Sequence, residues 1–202
     1  MYLTETEIKI LGLFGNDIYL ELSINAIAKS LGKHYRVIRV NVLSLVKKQL
    51  LVSMDLAGAK IISLNLKGGV LSMYMPYVEE ISSYNKLFKL LPQIGDIATR
   101  ARQIYPMFCL GVFGSYASGT QKKGSDIDLF IICPDGYIKK FKNMVNDFPA
   151  IQDMLHWNVF GIEEFREGIN SQGTLIYMEI AANKMIIKGA ELFYNLIAEV
   201  ER

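Results

Sequence analysis

The chain has little from which to build a histidine or cysteine metal centre. Of its 202 residues, two are cysteine and two are histidine. Cys109 and Cys133 lie in apolar runs, which predicts buried thiols in the reducing cytoplasm. His34 and His156 are too few and too far apart for a His-based site. A bound metal would need carboxylates, which favours Mg²⁺ or Mn²⁺ over zinc. Long hydrophobic runs are missing too. None approaches the roughly 18 residues of a membrane span, so no membrane partner is expected. The opening MYLTETEIKI is charged and amphipathic, unlike a signal peptide. No repeat or low-complexity segment is visible.

A strong overall charge is also lacking, at +2, but its distribution is uneven. Residues 1–68 hold nine Lys/Arg and five Asp/Glu, a net of +4, and residues 69–202 carry a net of −2. A basic first part and a slightly acidic remainder predict two units with different partners. The length suits one large domain or two small ones.

In the first unit, TETEIKILGLFG carries apolar residues at helical spacing. Thr4 with Glu7 predicts a capping box, and Gly15 a stop. SINAIAKSLGK predicts a short helix capped by Ser23 and ended by Gly32. HYRVIRVNVLSLVKKQLL predicts a longer helix, with Val37, Val40, Leu43 and Val46 as its inner face. LLVSMD and AKIISLNL, split at Ala57-Gly58, predict a β-hairpin. This order resembles the winged helix-turn-helix family. The resemblance implies duplex DNA as a partner, met by Lys33, Tyr35, Arg36 and Arg39 on the outward side of the longer helix, and a homodimer. Residues 69–104 predict a helical linker, broken at Pro76 and Pro92.

The second unit, residues 105–202, opens with MFCLGVFG, an apolar run that predicts a buried strand. SYASGTQKKG predicts a glycine turn and a short helix start, where Gly114 lets backbone approach a ligand closely. In SDIDLFIIC a period of two puts Asp126 and Asp128 on one face, with Ile127 and Leu129 on the other. Two neighbouring carboxylates repel each other and cost desolvation. A divalent cation removes both penalties, and it wants oxygen ligands at about 2.1 Å.

GSYASGTQKKGSDIDL resembles the signature of small nucleotidyltransferases of the polymerase-β-like superfamily, a Gly-Ser pair followed after ten residues by Asp-x-Asp. The implied fold class is α+β: a winged helix-turn-helix domain over 1–68, the linker, then an α/β domain with a small mixed sheet. The resemblance implies that Gly114, Ser115 and Ser125 bind the nucleotide and that Asp126 and Asp128 bind Mg²⁺ or Mn²⁺. The implied activity is transfer of an NMP, with ATP the expected donor and AMP the group moved, to a hydroxyl of a protein or small molecule. Relatives of this kind pair with a toxin-like partner protein, which implies an antitoxin-like role. The alternative is a DNA-binding regulator whose second domain only binds nucleotide or a partner.

The chain departs from the family pattern at a third acid, expected on the strand MLHWNVF. That strand offers His156, Trp157 and Asn158. Asp153, just ahead, is the candidate catalytic acid, with His156 as an alternative base. Glu179 is expected on a helix. Without the third acid, base catalysis would weaken by roughly 10²–10⁴-fold.

Overall fold

The computed structural model describes residues 2–56, 58–67, 70–170 and 175–199. The first helix, α1 (Glu5–Gly15), starts on the expected capping box, with Thr4 and Glu7 satisfying each other's backbone N–H groups. Glu7 is buried and also holds Lys48 Nζ at 2.6 Å. Burial pushes its carboxyl up, but Lys48, the Thr4 N–H and Ser44 outweigh burial and hold it below the usual range. Strand β1 (Leu22–Ser23) leads into α2 (Ile24–Leu31). Ser23 accepts from the Ala26 N–H, and Gly32 ends α2 in the left-handed conformation, φ 59°. Then come α3 (Tyr35–Lys47) and the hairpin β2 (Leu51–Leu56) and β3 (Ala59–Leu64). Ala57, in its turn, lies outside the described residues. β3 pairs antiparallel with both β2 and β1, completing a winged helix-turn-helix arrangement.

The inner face of α3 differs from expectation. Val37, Val40 and Leu43 are 45%, 61% and 43% exposed, and the buried residues are Ile38, Val42 and Leu45. At 3.6 residues per turn, each step of three falls back by about 60°, so a row at that spacing winds around the helix. Steps of four and three hold one stripe, and that stripe packs.

The expected boundary at residues 68 and 69 also lies outside the described residues. Helix α4 (Leu71–Leu90) runs through Pro76, its sixth residue, where a break was expected; the packing of α4 against α10, β7 and α1 outweighs the lost hydrogen bond and the ring's clash with the preceding turn. Pro92 does separate α4 from α5 (Ile94–Ile104). Next come β4 (Cys109–Phe113), α6 (Ser115–Ser118), β5 (Ile127–Cys133), α7 (Ile138–Asn143) and β6 (Leu155–Gly161). The chain continues with α8 (Ile162–Asn170), α9 (Leu175–Ala182), β7 (Lys184–Lys188) and α10 (Ala190–Ala198). The second sheet has the order β6-β5-β4-β7. β5 runs parallel to β6, and β4 antiparallel to β5 and β7, so the sheet is mixed and the fold class is α+β.

Both faces of that sheet are covered, which is why β4 and β5 read as nearly continuous apolar runs. Phe113, Phe130, Ile132 and Ile186 face a core continuous with α10, α4 and the first three helices. Leu110, Val112, Leu129 and Ile131 face α5 and α7. Both cysteines are buried as expected, and burial raises both thiols, Cys133 to about 12. A buried charged joint ties α1, α4, β7 and α10 together. Lys184 Nζ donates to the Gly15 carbonyl at 2.6 Å and lies 3.8 Å from Glu79, which also accepts from the Tyr194 hydroxyl at 2.6 Å.

Candidate active site

The site forms where β4 ends. Gly114 has φ 68° and ψ −144°, a conformation that side chains resist. Space forbids a side chain as well. A Cβ on Gly114 would meet Asp128 Oδ2 at 2.9 Å and Glu179 Oε1 at 3.6 Å. The glycine therefore lets two carboxylates close on one point of the backbone. Strand register brings Asp128 there, because β4 and β5 pair Phe113 with Asp128, one residue before the turn. The Gly114 N–H donates to the Asn183 carbonyl at 3.2 Å, which ties the turn to the end of α9 and so to Glu179.

Ser115 begins α6, is half-buried, and its hydroxyl has no hydrogen bond among the described residues. Ser125 is engaged differently. Its hydroxyl accepts from the Lys122 N–H at 3.0 Å and its carbonyl accepts from the Tyr116 hydroxyl at 3.1 Å, so it braces the loop that delivers Asp126. Asp126 is exposed, one residue ahead of β5, without an ion-pair partner among the described residues. Ile127 and Leu129 are buried in the core against α5 and α7, which turns Asp128 toward the opposite face.

β6 places His156 directly opposite Asp128, with Nδ1 3.1 Å from Oδ1. The position where an acid was expected thus holds an imidazole. Asp153 lies exposed in the short turn before β6, and no hydrogen bond or ion pair joins it to Asp126 or Asp128. Glu179 is on a helix, as expected, yet that helix carries it to the site. Its side chain is exposed and has no ion-pair partner among the described residues. It lies in the last turn of α9, where the helix dipole disfavours a negative charge. An acid in the last turn of a helix was the available signal, but nothing local says what that helix end faces.

Among the described residues, no three His, Cys, Asp or Glu side chains gather closely enough to hold a metal as they stand. The donors nevertheless suit Mg²⁺ or Mn²⁺. They are hard carboxylate oxygens, solvent-accessible, beside a glycine that leaves open the volume a Cβ would fill. Neither the Asp126 nor the Glu179 carboxylate has an ion-pair partner among the described residues.

On the first unit, Tyr35, Arg36 and Arg39 are exposed on α3, and Lys33 is half-buried in the turn before it. Neither arginine is ion-paired among the described residues. Val37, Val40 and Leu43 are exposed on the same helix.

The site combines a sheet strand, a glycine turn and carboxylates on the next strand. Residues 94–179, which contain the whole of this arrangement, match the nucleotidyltransferase domain family. No curated protein matches the chain. Among solved structures it is similar to the adhesin competence repressor AdcR of Streptococcus pyogenes. That similarity is 21% identity over 52% of this chain and 80% of that one, with a TM-score of 0.33, and no functional argument rests on it. No described helix is long and apolar enough to cross a membrane.

Proposed function

We propose that the chain is a Mg²⁺- or Mn²⁺-dependent nucleotidyltransferase that moves NMP from an NTP, with ATP as donor, to a hydroxyl of a protein or small-molecule acceptor. The observation that carries this reading is the approach of Asp128 and Glu179 to the Gly114 turn. In the reaction the acceptor oxygen bonds to the α-phosphorus, the bond to the bridging oxygen of the β-phosphate breaks, and pyrophosphate leaves. A divalent ion would be held by Asp126 and Asp128, where it supplies neutralisation of the phosphate charge. Gly114 and the free Ser115 hydroxyl seat the phosphates. Glu179 is the carboxylate that receives the acceptor's proton. His156, bonded to Asp128, fixes that carboxylate's orientation, and Asp153 is not needed for the chemistry.

The test is transfer of label from α-labelled ATP, with Mg²⁺, to a lysate or a candidate toxin-like partner protein. Transfer that disappears in Asp126→Asn and Asp128→Asn is the expected result. Equal transfer in the wild type and both variants refutes the assignment.

A second reading is favoured by the unpaired, exposed Arg36 and Arg39 on α3: the first unit contacts duplex DNA, as a homodimer on paired half-sites, and the second unit regulates that contact. Binding to duplex DNA should then weaken steeply with salt. Arg36→Ala with Arg39→Ala should reduce the slope of log K against log salt by about 2. A slope unchanged by the double variant removes α3 as the contact.

A further inference from the structure

The outward side of α4 is apolar. Met73, Tyr77, Ile81 and Tyr84 are 73%, 60%, 51% and 52% exposed. With the half-buried Phe88 they recur at steps of four, four, three and four. At about 100° per residue all five fall within an arc of about 80°, so they form one stripe. It runs for about 22 Å, and no charged residue falls within it.

One structural role accounts for part of this. Tyr84 lies against Phe88, with ring centroids 4.5 Å apart, and Phe88 packs on the core against α5 and α7. Met73, Tyr77 and Ile81 belong to neither core. A helix on the surface of a globular unit ordinarily turns polar residues outward. At their exposures the four side chains present on the order of 500 Å² to water. That is large for a single apolar patch on a monomer, and patches of this size mark interaction sites.

We propose that this stripe is a two-fold interface, on which α4 of a second copy of the chain packs antiparallel with Ile81 at the axis. The order of side chains carries the choice of occupant. Outward from Ile81 the stripe reads tyrosine in both directions, Tyr77 and Tyr84, about 6 and 4.5 Å away, and then Met73 and Phe88, about 12 and 10.5 Å away. A two-fold through Ile81 therefore sets Ile81 on its own copy, Tyr77 on Tyr84 and Met73 on Phe88, the self-complementary pairing that a symmetric dimer requires. The pairs are aromatic on aromatic and thioether on aromatic, both favourable contacts. Charge selects the antiparallel sense. Lys86 and Lys89 lie in the last two turns of α4, so a parallel pair would bring four ammonium groups to one end, whereas the antiparallel pair keeps them apart. Two such patches remove on the order of 1,000 Å² from water, close to the lower limit of specific interfaces, which sets a reversible dimer and not a permanent one. α4 packs on α1 as well as on α10 and β7, so this contact joins both units of each copy. It supplies a two-fold for the homodimer of the DNA reading, and it stands whether or not DNA is bound.

The experiment is sedimentation velocity on the full chain, from about 1 to about 200 µM, in wild type, Ile81→Glu and Ile81→Leu, with circular dichroism melts to check that each variant folds. Wild type should pass from monomer to dimer within that range. Ile81→Glu sets two like charges against each other on the axis and should raise the dissociation constant at least about tenfold, while Ile81→Leu should hold it within about threefold. Crosslinking reads the orientation. Cys109 and Cys133 are buried, so a cysteine placed on the stripe is the accessible thiol. Ile81→Cys should join to its own copy under mild oxidation, and Tyr77→Cys mixed with Tyr84→Cys should crosslink to each other faster than either does to itself. A wild type that stays monomeric throughout, even one that captures a different protein through the stripe, overturns the proposal. So does a dimer indifferent to Ile81→Glu, or Tyr77→Cys that joins best to itself. Binding to duplex DNA is measured separately, and a dimer that binds none removes the DNA reading while supporting the interface.

Discussion

Gly114→Ala probes the site through a single methyl group. Two costs add. The backbone at φ 68°, ψ −144° is one that alanine enters only under strain of about 1–3 kcal/mol. The new Cβ would also lie 2.9 Å from Asp128 Oδ2, closer than real contacts of this kind, so a neighbour must move. Asp128 is not free to swing aside without loss, because β5 pairs on both sides at that residue and His156 holds its other oxygen at 3.1 Å. For a chain of this size each kcal/mol shifts Tm by about 2–4 °C, so a fall of roughly 2–12 °C is expected. Function should suffer more than stability, since the displaced group is the proposed metal ligand. The assay pairs a thermal melt with titration of Mn²⁺ and ATP, and the expected result is a folded protein with Mn²⁺-dependent ATP affinity down at least tenfold. A variant with wild-type Tm and wild-type affinity would show that the turn has room the geometry denies, and would refute the argument from close approach.

Further outcomes follow from the same geometry. Glu179→Gln, which keeps shape and removes the base, should leave Mg²⁺-ATP affinity within about twofold and lower transfer by roughly 10²–10⁴-fold, measured as pyrophosphate release with acceptor present; an unchanged rate removes Glu179 from the chemistry. Lys184→Met strips the buried partner from Glu79 and the donor from the Gly15 carbonyl, which should cost about 3–5 kcal/mol and be visible as a large drop in Tm; a Tm within about 2 °C of wild type contradicts it. Glu7 has a depressed folded pKa, so its stabilisation is present above its unfolded value of about 4.3 and is lost as pH falls through the lower folded value. Stability measured from pH 6 to about 3 should therefore fall more steeply in wild type than in Glu7→Gln, and parallel curves would rule the contribution out.

Much of the first unit was legible because its signals are local. The Thr4–Glu7 box, the Ser23 cap and the Gly32 stop each depend on residues within four positions of one another, and each forms. The face of α3 was misread from a row of residues spaced by three, which winds around the helix. Pro76 does not break α4 because tertiary packing on that helix, which no local signal reveals, outweighs the proline's cost.

The sequence by itself determined the strand, the glycine turn and the carboxylate-bearing strand, since β-alternation and glycine's freedom act over a few residues. The carboxylates there predict a hard ion such as Mg²⁺ or Mn²⁺ if a metal binds. Only the tertiary structure decided which other groups lie near that turn. It set His156 opposite Asp128 by strand register and turned the end of α9 so that Glu179 comes close to Gly114. These residues are separated by tens of positions, and what brings them together is the burial of two apolar cores on either side of one sheet, an energy to which their own charged side chains contribute little.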